Sequence, residues 1–351
     1  MSALHNLKTP ALALCMCVGR ALGEARAQEP AASNCTVPSR VKPALIPTTD
    51  PSNHLLYSYN ELQYLSCDFD RDVSTVFDLS EQQFKASSKT WVYSLMASNV
   101  YREKGQVFVI PGWEVASRWK SPSGLTFEEW THKDSGGKPD QIVVAFEGTK
   151  FSSLDDWQTN LSLIEPRQFR EAYAYMDCLV KHRANGARIA VTGHSLGGAL
   201  ALNMSLRLPG IHAYVFDPSP RAFFKVKMKK VKADMRAGVA PERILVYESG
   251  EVLAFVRAPW QAAFRNFERY RFNFMDFTNF FAVVSEHNMY LIARGLLMAA
   301  IKAKDAQAGQ AFTANLSSRD LEDAFKEEKE PGDKKYDIGR CQWIFQTYPV
   351  R

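Results

Sequence analysis

Arg188-Ile189-Ala190-Val191-Thr192-Gly193-His194-Ser195-Leu196-Gly197-Gly198-Ala199-Leu200-Ala201 decides how the chain is read. Arg188 to Gly193 is a buried strand by its apolar, partly β-branched run, and Leu200 to Leu208 reads as helix until Pro209-Gly210 closes it. Between them Gly193-His194-Ser195-Leu196-Gly197 fits G-x-S-x-G at a strand-to-helix junction, the context in which the pattern means a serine held on a sharp turn. The chemistry requires those residue types. Glycines on both sides permit a strained backbone and let the helix pack close to the strand, which leaves the Ser195 hydroxyl exposed above the sheet. The Leu196 N–H faces the same space at a helix N-terminus, where a developing oxyanion is stabilised.

Working outward, Ile142-Val143-Val144-Ala145-Phe146 is a continuous apolar run of the kind buried on both faces of a parallel sheet. A helix is expected from Pro166 to Arg183, then strand Ala213 to Phe216, a basic helix from about Ala222 to Arg236, and strand Ile244 to Tyr247. Alternation at this spacing implies βαβ units, hence an α/β fold with a mainly parallel central sheet flanked by helices. Upstream, the apolar spacing of Trp91 to Tyr101 suits a helix, and Gln106 to Ile110 and Leu125 to Thr131 are short strand candidates. No internal repeat is present.

The elbow Val191 to Ala201, together with Val144-Ala145-Phe146-Glu147-Gly148-Thr149 and Asp156-Trp157 upstream, resembles the class 3 lipase family. These are the fungal-type triacylglycerol lipases and their bacterial relatives, within the α/β-hydrolase superfamily. The likeness covers roughly residues 90 to 295. It implies that the N–H groups of Thr149 and Leu196 form the oxyanion hole. One departure stands out: the family usually has Arg where this chain has Glu147, which leaves the anchoring of that loop to be explained.

A serine hydroxyl needs a base to take its proton and an acid to orient that base. In this superfamily the order along the chain is Ser, acid, His, and His287 is the one histidine far enough beyond Ser195. It opens the apolar helical run His287-Asn288-Met289-Tyr290-Leu291-Ile292; a capping surface histidine is the plainer reading. Glu251, in Ser249-Gly250-Glu251-Val252, resembles the family's acid loop with Glu in place of Asp and is preferred over Asp217, which ends the preceding strand. Glu248 and Glu286 are outside candidates.

The 351-residue chain is 46% hydrophobic, enough for one large globular domain with decorations or two small ones. Residues 1–27 read as a signal peptide, with Lys8, an apolar run from Ala11 to Val18 and Ala25-Arg26-Ala27 before a cleavage site; Arg20 and Glu24 interrupt it, and a cytosolic protein with an amphipathic start is the other reading. An N-terminal extension (28–88), a hydrolase-type domain (89–303) and a charged C-terminal extension (304–351) follow. Export would leave Cys35, Cys67, Cys178 and Cys341 to form disulfides or to stay as buried thiols. A net charge of +5 without a recognition motif argues against nucleic-acid binding.

Between acid and base lies an aromatic-rich stretch from Phe264 to Phe281 carrying Arg265, Arg269 and Arg271. It reads either as a core-packing helix or as the lining of an acyl pocket or lipid contact. The lysines from Lys225 to Lys232 read as a solvated face. The signal peptide implies export, to a secreted or periplasmic location, and the resemblance implies a serine lipase or esterase that acts on acyl lipids through an acyl-enzyme, with no metal or other cofactor. Its expected partners are an acyl-ester lipid and, transiently, a lipid surface. A phospholipase, thioesterase or acyltransferase would use the same frame. The departures at Glu147 and Glu251 leave a catalytically inactive binding protein as the reading from another class.

Overall fold

The computed structural model describes residues 79–101, 107–133, 136–148, 166–184, 186–249, 257, 260–265, 267–272, 274 and 289–315. Among these, seven strands form one sheet in strictly sequential order: β1 (Trp113–Lys120), β2 (Thr126–Lys133), β3 (Pro139–Phe146), β4 (Arg188–His194), β5 (His212–Phe216), β6 (Arg243–Glu248) and β7 (Glu268–Phe272). The pairs β1–β2 and β2–β3 are antiparallel, and every pair from β3 to β7 is parallel.

The continuous apolar runs of the parallel strands split by alternation between two cores. Val143, Ala145, Ala190, Tyr214, Phe216, Ile244 and Val246 enter one. Ile142, Val144, Phe146, Ile189, Val191, Ala213, Val215 and Leu245 enter the other. A period-two backbone with helices on both sides needs apolar residues at every position, which is why these strands show no polar alternation.

Helix α1 (Glu81–Asn99) covers the first face with α6 (Met289–Lys302) and α7 (Ala306–Ala314), which carries Ala308, Ala311 and Phe312 into that core. A capping box starts α1: the Gln83 N–H donates to Ser80 Oγ at 3.3 Å, and the Ser80 N–H donates to Gln83 Oε1 at 2.8 Å. On the other face lie α2 (Pro166–Cys178), which continues as a π-helical turn through Arg183, then α3 (Leu196–Arg207) and α4 (Met228–Arg236). A one-turn helix, α5 (Gln261–Phe264), precedes β7. This layered, mostly parallel architecture is the α/β-hydrolase fold. No described helix is long and apolar enough to cross a membrane.

Several local expectations change. Residues 107–110 are not a strand, and the strand that pairs with β2 on that edge is instead Trp113–Lys120, beyond Pro111-Gly112. The basic helix starts only at Met228, because Pro220–Phe223 forms a separate 3-10 turn capped by the Ser219 side chain. Within the aromatic-rich stretch Glu268–Phe272 is the edge strand β7 rather than helix, held by register with β6. Buried carboxylates in β2 are paired: Glu128 with Arg118, and Glu129 with Arg183 and the Tyr175 hydroxyl. Cys178 is disulfide-bonded, and every other cysteine of the chain lies outside the described residues.

Candidate active site

Ser195 sits between β4 and α3 with φ 58° and ψ −119°. For a residue with a Cβ this conformation costs on the order of 1–3 kcal/mol and persists only where the surroundings enforce it. Three backbone hydrogen bonds do so. The Ser195 N–H donates to the Phe216 carbonyl at 3.0 Å, and the Ser195 carbonyl accepts from the Ser219 and Ala199 N–H groups, each at 3.0 Å.

The glycines of the motif are required by contact. A Cβ on Gly193 would lie 2.6 Å from the Gly197 carbonyl oxygen, one on Gly197 would run into the Phe146 carbonyl, and one on Gly198 would stand 2.9 Å from the Gly193 oxygen. The expected elbow is therefore present, with α3 pressed against the ends of β3 and β4. Leu196 is the first residue of α3, so its N–H is among those that a helix leaves without an intrahelical acceptor.

Beside the elbow, β3 ends at Phe146 and its chain continues through Glu147 and Gly148. The Gly148 N–H donates to the Tyr101 hydroxyl at 3.1 Å, and the same hydroxyl lies 3.3 Å from Nδ1 of buried His194. Arg118 in β1 explains Glu147. Its Nη1 donates to Glu128 Oε1 at 2.6 Å and to the Val100 carbonyl at 2.8 Å, while its Nη2 stands 3.6 Å from Glu147 Oε2. The Glu147 carboxylate is thus faced by a guanidinium from β1, two strands away in the sheet.

Two of the carboxylates considered from sequence are described. Asp217, fully buried at φ 41°, accepts the Glu248 N–H at 3.2 Å and lies 3.7 Å from Nη2 of Arg257. Arg257 also donates to the Pro218 carbonyl at 3.4 Å and covers the Tyr247 ring at 4.6 Å. Asp217 thus latches β5 to β6. Glu248, buried at the end of β6, accepts the Phe274 N–H at 2.9 Å. Thr149, Glu251, Glu286 and His287 lie outside the described residues.

The sequence reading missed Tyr101, Arg118 and Arg257. Tyr101 reaches Gly148 and His194, Arg118 reaches Glu147, and Arg257 reaches Asp217 and Pro218, all in other elements or loops, so no local pattern marks them. Among the described residues no group of three or more His, Cys, Asp or Glu could hold a metal ion.

Comparison with known proteins adds to this geometry. A lipase from Rhizopus microsporus var. chinensis shares 19% identity, covering 53% of this chain and 72% of that one, with a TM-score of 0.34. Carboxyl esterase 2 from the mycorrhizal fungus Tuber melanosporum shares 13%, covering 56% of this chain and 89% of that one, with a TM-score of 0.33. No curated protein matches the sequence. A family profile described as phospholipase-like, Tle-like phospholipase domain, matches residues 92–268, half of the chain, and that span runs from α1 to the start of β7 with the elbow inside it. The chain therefore belongs to the phospholipase-like family defined by the Tle-like phospholipase domain, a lipase family on the α/β-hydrolase fold.

Proposed function

We propose that the protein hydrolyses carboxylic esters of acyl lipids, phospholipids first among them, through an acyl-enzyme on Ser195. The observation that carries this reading is the left-handed turn at Ser195, wedged between glycines that admit no Cβ. A strained conformation enforced so closely at one hydroxyl has a use in nucleophilic catalysis and little in packing.

In the proposed cycle His287 takes the hydroxyl proton as Ser195 attacks the ester carbonyl. The Leu196 and Thr149 N–H groups stabilise the oxyanion, and the proton passes to the departing alcohol. Water, activated by the same imidazole, then releases the fatty acid and restores the serine.

The neighbours of these residues support the assignment. Gly148, next to Thr149, is packed so closely that a Cβ there would lie 2.6 Å from the His194 carbonyl. The first turn of α6, two residues past His287, carries Tyr290, whose ring is 5.5 Å from Phe108. Phe108 is in turn held by Asn99 at the end of α1, two residues before Tyr101 at the elbow. The start of α6 thus packs near the end of α1 that leads to Tyr101, which supports His287 as the base. As acid we propose Glu251, because Asp217 already serves Arg257 and the Glu248 backbone. The disulfide at Cys178 supports an exported protein, secreted or periplasmic.

A fluorophosphonate probe tests the nucleophile. Labelling is expected in the parent protein and should vanish in Ser195→Ala; a folded protein that takes no label would instead favour a binding module. A panel of phospholipid, triacylglycerol, thioester and nitrophenyl substrates then ranks the chemistry. Turnover of thioesters alone would replace the lipid-ester reading.

A further inference from the structure

We infer that Tyr101 is a positioning residue for the oxyanion hole, its hydroxyl setting the distance between the two chain segments that supply the hole's donors. The inference rests on the ester-hydrolase reading above and deepens it.

An oxyanion hole works only when both N–H groups reach the same oxygen, each within about 2.7–3.1 Å. Here one donor, Leu196, lies past the end of β4 and the other, Thr149, past the end of β3. The parallel ladder that ties these strands together has Phe146↔Gly193 as its last pair. Beyond that pair, among the described residues, no β3–β4 ladder sets how far Gly148 stands from residues 194–196. A different tie operates there. The Tyr101 hydroxyl accepts the Gly148 N–H at 3.1 Å and stands 3.3 Å from His194 Nδ1.

The rest of the surroundings makes the tie stiff. Gly148 has no space for a side chain, since a Cβ would strike both the Tyr101 hydroxyl and the His194 carbonyl. Tyr101 is itself fixed at the end of α1, its N–H donating to the Ser98 carbonyl at 3.2 Å. Arg118 holds the preceding Val100 carbonyl and faces Glu147, so the loop is gripped from its outer side as well. His194, whose ring is too short a way along the chain to serve Ser195, thereby gains a role. It is the elbow's half of a bridge to the neighbouring loop.

Tyr101→Phe keeps the ring and removes only the bridge. Activity should be expressed per active site titrated with the fluorophosphonate, so that misfolded protein does not count. The expected result is a kcat lower by about tenfold or more with KM within about twofold, because a donor displaced by a fraction of an ångström is lost mainly to the transition state. His194→Asn, which keeps a hydrogen-bonding atom near the Nδ1 position, should retain more of kcat than His194→Leu. Combining Tyr101→Phe with His194→Leu should cost little beyond the larger single loss.

A Tyr101→Phe enzyme with kcat within about twofold of the parent overturns the inference; so does a loss that disappears after active-site titration, or strict additivity of the two substitutions. The parent protein separates this failure from that of the underlying reading. If it shows no Ser195-dependent labelling the hydrolase reading falls and takes the inference with it, whereas labelling together with a normal Tyr101→Phe enzyme removes the inference alone.

Discussion

The two ends of the parallel sheet are built on opposite principles. At the amino ends of the strands, Tyr93 and Tyr214 stack at 3.8 Å, and their hydroxyls are engaged by Gln141, Arg188 and Glu242 at 2.7–2.8 Å. Lys89 closes the group on Glu242 at 2.8 Å. Polar atoms there find partners without backbone distortion. At the carboxyl ends, Ser195 and Asp217 both adopt positive φ, and the elbow's glycines press against neighbouring carbonyl groups. The only other described non-glycine residues with positive φ, Lys225 and Lys304, lie in exposed turns. Strain buried at one end and relaxed polar pairing at the other indicate which end is specialised for chemistry.

The strongest way to break that contrast is Gly197→Ala. Its Cβ would meet the Phe146 carbonyl, a backbone atom that cannot swing aside, so a loss of about 3 kcal/mol or more is expected. Thermal melting and soluble yield measure it, and an alanine variant that melts like the parent would mean the packing at the elbow is looser than described. Ser195→Gly sharpens the contrast from the other side. It should abolish ester hydrolysis, by about a thousandfold or more. Yet it should melt above Ser195→Ala, by about 1 kcal/mol, because glycine accepts φ 58° without strain. Equal melting temperatures for the two variants would show that the turn stores nothing.

The smallest effect belongs to the amino end. Burial opposes ionisation of Glu242, but the hydrogen bonds and charges from Lys89, Tyr214 and Arg188 outweigh it and hold its pKa below the ordinary carboxylate value. A depressed acid stabilises the fold above its unfolded pKa, and that contribution is lost as pH falls through the lower folded value. Glu242→Gln should therefore melt slightly lower at neutral pH, lose less on acidification through that window, and turn over esters at the parent rate. A steeper acid loss in the variant would reverse the assignment.

Much of the parallel half was legible because its signals are local. The apolar runs at Ile142–Phe146 and Arg188–Gly193 became β3 and β4 because burial on two faces leaves its mark on consecutive residues. The β1 edge and the β7 strand were not, since Trp113–Lys120 is half-buried and Glu268–Phe272 is largely exposed and charged. Both are strands by pairing with a neighbour rather than by pattern. At the site, Ser195 and Leu196 could be read from a five-residue motif. Tyr101, Arg118 and Arg257 could not, because each acts on a segment distant in sequence.

By itself the sequence determined the alternation of strands and helices, the serine turn and its glycines, for these depend on φ/ψ preference and on burial repeated every few residues. Only the tertiary structure decided that Arg118 answers the carboxylate of Glu147, that Asp217 latches two strands, and that a phenol at the end of α1 joins His194 to Gly148. Such pairings depend on which chain segments fold against one another. A hydrogen bond between residues far apart in sequence imposes no periodicity on either of them.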